Sequence, residues 1–389
     1  MPGLTARLRR RPLSRTGGDK GAAATLVAVL LAGGVLLGMT ALVVDVGSLY
    51  AEREELMSGA DAAAMAIALD CALDRTECKT DLAGDGPARE TAVRYAQENA
   101  RDGAADAIVC GNDPRLRDCD DPDFEPVGNL TDCLGERPDN GTRYVEVRTT
   151  TLLPGGSTLL PPSFAQTLVA GYQGAEVGAC ARVAWGSPGA GLAVTISTCE
   201  WDEATNKGED FAPPPPAVPD LRYETVLRLH DSQGSSTCAA GPSGWDAPGG
   251  FGWLDENGGP CQTEVADDEY GGEVGNNVPP ECADALEDAR EDRTVLLMPV
   301  FDGIDGEGQN TTYHLAGFAA FVVTGYFLSP GNPTGPGSVT AESSLTGDHY
   351  CGGQERCIYG YFTATLIPGQ GPVGPLPGNF GAMVVKTIG

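Results

Sequence analysis

The chain has 389 residues, with 25 Lys and Arg against 54 Asp and Glu, a formal net charge of −29. That balance excludes a nucleic-acid binder, which needs a basic footprint to neutralise phosphates. Gly and Pro make up about a fifth of the residues, above ordinary composition and below a low-complexity chain, so a folded protein with much loop is predicted.

The charge is unevenly placed. Residues 1–21 hold Arg7, Arg9, Arg10, Arg11, Arg15 and Lys20 against the single anion Asp19. A basic head before an acidic body points to topology. Residues 22–44, AAATLVAVLLAGGVLLGMTALVV, carry no charge. Their length predicts a tilted transmembrane helix, with the head cytoplasmic and the body extracytoplasmic. A cleaved secretory signal has a shorter apolar region and a small-residue cleavage site, neither of which is seen here.

Residues 45–70 continue as an amphipathic stripe in which Val46, Leu49, Tyr50, Leu56, Met57, Ala60, Ala64 and Ile67 recur at three- and four-residue steps. No proline lies between 22 and 70, so one helix of about 74 Å is possible. Glycines at 33, 34, 38, 47 and 59 permit bends, and two helices broken near Asp45–Gly47 are the alternative. A second helix is predicted over 87–102, with Pro87 in its first turn and Gly103 as its stop. Residues 104–141 predict a disulfide-held loop.

Strand patterns begin at 143–153 and 176–185, with a short helix expected at 163–171 between them. GLAVTIS (191–197) opens the next region, and FAPPPPAVPD (211–220) predicts an extended linker. Strands are expected within 223–231, 293–302, 312–329, 357–368 and 379–389, which are rich in β-branched and aromatic residues. The fold class predicted is α+β: a transmembrane helix continuing into a pilin-like amphipathic helix, then a β-rich disulfide-held ectodomain. The expected units are a tail (1–21), an anchor (22–44), a first α+β unit (45–188) and a β-rich C-terminal domain (189–389).

All twelve cysteines follow residue 70. Every one lies on the side assigned to the exterior, where disulfides persist. Local pairs are the simplest expectation: Cys71–Cys78, Cys238–Cys261 and Cys351–Cys357.

The N-terminal landmarks resemble those of TadE/TadG-like proteins of the Flp pilus-assembly (Tad) system. In that family the membrane helix ends in a VD-x-G-x-x-Y stretch, followed by R-x-x-L and A-D-A-A-A. Here these fall on Val44-Asp45, Gly47, Tyr50, Arg53, Leu56 and the Ala60–Ala64 run that contains Asp61, Ala63 and Ala64. The cysteine-bearing C-terminal region looks like that of actinobacterial relatives. The von Willebrand A domain of many such proteins needs an Asp-x-Ser-x-Ser run. Residues 231–235 come nearest to it and carry Gln233 at the middle position. Glu is also absent five residues after Gly17, Gly18 or Gly21, so pilin-type cleavage is not predicted.

Two physical readings stand beside the resemblance. A carboxylate at Asp45 is affordable at the end of a membrane helix if it reaches water, so it marks the outer membrane boundary. The small-residue face around Ala63 and Ala64 suits close packing with a partner helix.

Little chemistry is expected. His230, His314 and His349 are far apart, and none has metal-ligand spacing. Asp302, Asp305 and Glu307 are oxygen-rich like a calcium loop, but they do not follow the EF-hand pattern, and Asp with Gly also simply makes turns. No nucleophile elbow, P-loop or dinucleotide motif is present. No cofactor, no metal and no enzymatic activity are expected. The function predicted is structural or assembly-related, in a Tad/Flp-type pilus or related cell-envelope apparatus. The partners implied are the membrane and other pilus or envelope proteins, reached through the N-terminal helix. An adhesin or binding protein unrelated to pili, and a tethered enzyme, are the alternatives.

Overall fold

A computed structural model describes residues 19–121 (except 74 and 82), 133–138, 142–228 (except 168), 253–254, 259–265, 269–271, 278–305, 312–329, 339–368 (except 354), 373–374, 376 and 378–389. Two helices open it, α1 (Asp19–Ala32) and α2 (Val35–Ala72). The break falls at Gly33–Gly34, where Gly34 takes a left-handed φ of 69° before α2. The predicted single helix is thus interrupted inside the apolar run, while α2 passes Asp45–Gly47 without a break. Among the described residues, no helix is long and apolar enough to cross a membrane by itself.

After α3 (Pro87–Asn99), the strands β1 (Ala105–Gly111), β2 (Arg143–Thr151), β3 (Leu159–Leu160), β4 (Ala175–Glu176) and β5 (Gly178–Gly186) follow. Strand β1 lies inside the stretch expected to be loop. The next elements are β6 (Ala190–Leu192), β7 (Ile196–Ser197), α4 (Thr198–Thr205), β8 (Thr225–Arg228), β9 (Gln262–Glu264), β10 (Glu269–Gly271) and α5 (Pro280–Asp292). The chain ends with β11 (Val295–Asp305), β12 (Thr312–Phe327), β13 (Thr340–Ala341), β14 (Cys357–Thr363), β15 (Thr365–Pro368), β16 (Gly378–Phe380) and β17 (Ala382–Thr387).

Two main sheets form. The first has the order β1-β2-β5-β17-β15. The second runs β7-β11-β12-β14-β8, with β10, β13 and β16 also paired to the long strand β12. A boundary at 188/189 is not respected, because β15 and β17 complete the first sheet. The chain crosses to the first sheet near Ala364, returns to the second between β15 and β16, and crosses once more at Gly381. Gly381 has a φ of +99°, and a Cβ there would lie 2.9 Å from the Thr363 carbonyl. Only glycine fits this turn comfortably.

The two cores differ in kind. Helices α2 and α3 pack side by side on one face of the first sheet, α2 against β2 and β5 and α3 against β1. Its Leu56, Ala60, Ala63, Ala64 and Ile67 meet Ala88, Ala92 and Ala96 of α3 and the valines of β2 and β5. The helices approach so closely that a Cβ on Gly59 would stand 2.9 Å from Ala96 Cα. The second core is aromatic, built from Trp201, Trp253, Phe321, Phe362 and Phe380 with Leu286 of α5.

Disulfides join Cys71–Cys78, Cys110–Cys119, Cys133–Cys180, Cys261–Cys282 and Cys351–Cys357. The expected Cys238–Cys261 pair is corrected. The buried face of α5 brings Cys282 to a Cα distance of 4.7 Å from Cys261, within bonding range. Cys238 itself lies outside the described residues.

Candidate functional site

Asp45 is the pivot of the N-terminal helix. Its side chain is buried, with 5% of the residue exposed. Residues 163–165 follow Pro161-Pro162 and enter a 3₁₀ turn of three residues at Ala165–Thr167, shorter than the helix expected over 163–171. Their three successive N–H groups all donate to the Asp45 carboxylate. Ser163 reaches Oδ1 at 2.8 Å, Phe164 reaches Oδ1 at 3.1 Å and Oδ2 at 3.0 Å, and Ala165 also bonds Oδ2. A carboxylate satisfied by several backbone donors tolerates burial. Asp45 therefore does not depend on water, contrary to the sequence expectation. It pins a loop 118–120 residues away to the foot of the helix.

The other landmarks divide by helical phase. Gly47, Tyr50 and Arg53 are exposed. Val46, Leu49, Tyr50 and Arg53 line a groove of about 380 Å³ whose other wall is Ala175–Gly178. Leu56, Ala63 and Ala64 are buried, while Asp61 points outward. The small-residue face proposed for a partner helix is thus already covered by α3 and the sheet of the same chain. The alanines allow that close approach.

The far face of the first sheet holds a buried ion network that sequence reading missed. Glu146 is fully buried and paired across strands to Arg182. It accepts from Arg182 Nε and Nη2 at 3.0 and 2.7 Å, and from Arg148 Nε and Nη2 at 2.8 and 2.5 Å. Burial alone would raise the Glu146 carboxyl. The hydrogen bonds and charges of Arg182 and Arg148 outweigh it, and the net position is below the usual carboxylate range. Arg182 Nη1 also donates to the Gly135 carbonyl at 3.2 Å, which clips the 133–138 segment to the sheet. The only sequence signal was charge at alternate strand positions, which normally marks a solvent face.

This network is not a metal centre. Cys110, Cys119 and Glu146, and likewise Cys133, Glu146 and Cys180, lie close enough to share an ion. Their sulfurs are spent in disulfides and offer no thiolate. The calcium reading fares differently at each residue. Asp302 and Asp305 are exposed on β11, Asp302 at a register shift, and Asp305 Oδ2 lies 2.9 Å from His314 Nε2. Glu307 lies outside the described residues, as do His230 and residues 231–235.

A polar cluster lies beside the second sheet. Glu224 accepts from the hydroxyls of Thr324, Ser343 and Tyr350 at 2.5, 2.6 and 2.6 Å. Ser343 Oγ is further engaged by the Leu345 and Thr346 amides of its own turn. The Ser343 hydroxyl thus donates to the Glu224 carboxylate and accepts from two amides of its own turn.

Residues 21–68 match the family model described as putative Flp pilus-assembly TadE/G-like. The matched segment runs from α1 through the Asp45 pin and the buried alanines of α2. No curated protein and no solved structure matches the chain.

Proposed function

From the TadE/G-like match over residues 21–68, we propose that the protein is a structural or assembly component of a Tad/Flp-type pilus or related envelope apparatus, without catalytic activity. The observation that carries this reading is the division of the matched segment. Its second half is built into the chain's own core. Its first half presents Leu26, Val27, Val29, Leu31, Val35, Met39, Leu42 and Val43 to the surroundings. Apolar surface of that extent calls for an apolar environment.

The charge-free run 22–44 supplies it by inserting into the cell membrane as two helical pieces across Gly33–Gly34. The run holds 23 residues, about 34 Å of helix at 1.5 Å per residue, so the two pieces cross a hydrocarbon core of about 30 Å when they lie nearly collinear. The basic head stays cytoplasmic. The acidic, disulfide-bonded body is exported, where its bridges persist. Contacts with other pilus proteins then fall to what α2 leaves exposed, Tyr50 and Arg53 beside their groove, rather than to Ala63 and Ala64.

The test is purification of the full chain from detergent-solubilised membranes of its own cell. Flp pilin or the pilus secretion ATPase is expected to co-purify, and to be lost with Tyr50→Ala and Arg53→Ala. Recovery of the intact chain with neither component would overturn the assembly role. Release from membranes by alkaline carbonate would overturn the anchor.

A further inference from the structure

From Thr149 to Ala175 the sequence contains no Asp, Glu, Lys, Arg or His. Other charge-free stretches, such as 315–341, include the buried strand β12, where burial explains the missing charge. The stretch 152–174 is different because most of its described residues are exposed. Phe164 is 49% exposed and Val169 57%, with Leu159 also open. Exposed, apolar and charge-free is an unusual combination on a body of such strong negative charge.

Its position is equally specific. Asp45 holds Ser163, Phe164 and Ala165 by their amides, and Asp45 directly follows the charge-free run 22–44. Val43, Val44 and Val46, on either side of Asp45, are exposed. The apolar loop and the apolar helix surface therefore meet at one level and are tied by one buried carboxylate.

We infer that the 152–174 loop is a lipid-facing surface, seated in the headgroup region of the outer leaflet beside the helix, with Phe164 and Val169 at the acyl boundary. The inference rests on the membrane-anchor reading above. Interfacial contact asks for apolar side chains that burial of charge does not oppose. An acidic face is repelled by anionic headgroups, so the charge-free face is the one that approaches them. Two attachments, helix and loop, with Asp45 bracing them, set the tilt of the body on the membrane. Asp45 is a positioning residue in this arrangement and does not itself touch lipid.

The test uses the full chain reconstituted into phosphatidylcholine vesicles. An environment-sensitive dye is placed on single cysteines in Val29→Cys, Phe164→Cys, Val169→Cys and Val218→Cys, since the described native cysteines leave no free thiol. Val218 serves as the control because it is exposed in the Pro-rich segment. Lipids spin-labelled near the headgroup are expected to quench the signal at 164 and 169. Deep-labelled lipids quench position 29, and neither label affects 218. If 29 is quenched while 164 and 169 behave like 218, the loop inference is wrong and the anchor stands. If 29 is also unquenched, the anchor reading falls and takes this inference with it. Dyes at 164 and 169 that are shielded from a water-soluble quencher but untouched by spin-labelled lipid would mean that protein covers the loop, which also overturns it. With Asp45→Ala, quenching at 29 persists while quenching at 164 and 169 drops, a separation that a purely stabilising role for Asp45 would not produce.

Discussion

Between Val35 and Val46, α2 presents Val35, Met39, Leu42, Val43, Val44 and Val46 to the surroundings, whereas from Leu56 to Ala72 it buries Ala60, Ala63, Ala64, Ile67 and Ala68. The bulkier and more apolar half of one helix is the uncovered half. The alanine half is covered because small side chains let α3 and the first sheet come within contact of its backbone, as at Gly59 and Ala96. Apolar character drives removal from water, but which surface does the covering depends on shape. Among the described residues no element covers the large aliphatic side chains of the first half, and this is the surface that the proposed anchor would bury. Asp45 stands at the border between the two halves and fastens a distant loop there.

The sheet under the alanine half should be the most sensitive place in this comparison. Glu146→Gln leaves the buried Arg182 and Arg148 without their counter-charge and is expected to cost about 3–5 kcal/mol in denaturant unfolding. The pH dependence has a definite sign. The Glu146 carboxyl is held below its ordinary value in the folded chain. Its contribution is therefore complete above the unfolded pKa of about 4.3 and is lost as pH falls through the lower folded value. The gap in stability between wild type and Glu146→Gln should be constant from neutral pH to about pH 5 and should narrow below about pH 4. A gap that widens on acidification would contradict the network.

Next comes the helix crossing. Ala64→Leu forces added methyl groups between α2 and its covering elements and is expected to destabilise the body by about 1–3 kcal/mol, read in the same unfolding experiment. If it is neutral, the alanine half is not packed in this way, and a partner helix becomes tenable again.

At the border, Asp45→Ala leaves three amides without their acceptor. A loss of about 1–2 kcal/mol is expected, with faster hydrogen exchange at Ser163, Phe164 and Ala165 than elsewhere in the body. Unchanged exchange at those amides would remove the pin from the account.

The smallest effect belongs to the uncovered half. Leu42→Ser should change unfolding of the body by less than about 0.5 kcal/mol. The same substitution should weaken retention in the membrane fraction. An equally large effect on the body as Ala64→Leu would mean that Leu42 is covered by the chain after all.

Much of the local structure was legible in the sequence for identifiable reasons. Pro87 in a first turn marked α3, alternating apolar residues marked β2 and β5, and a run rich in β-branched and aromatic residues marked β12. Some signals were present and weak. Ser197 and Glu200 form a capping box at the start of α4, and their spacing was available in the chain. In α5, Pro280 in the first turn and the spacing of Cys282, Leu286 and Ala289 were equally visible. The break at Gly33–Gly34 was among several possible bends, because glycine allows a left-handed turn without requiring one.

The sequence by itself determined what depends on neighbours along the chain: the charge-free run before an acidic body, the helical landmarks from Asp45 to Ala64, and most strand positions. Only the tertiary structure decided what depends on residues far apart. It placed β15 and β17 in the first sheet, paired Cys261 with Cys282, buried Glu146 between two arginines and turned the Ala63–Ala64 face inward onto α3. It also gave Asp45 three amide partners more than a hundred residues away. Periodicity reports which side of an element is apolar, and a carboxylate's type reports that it needs donors. Neither reports which distant surface answers, because that choice is made by shape and closure of the whole chain.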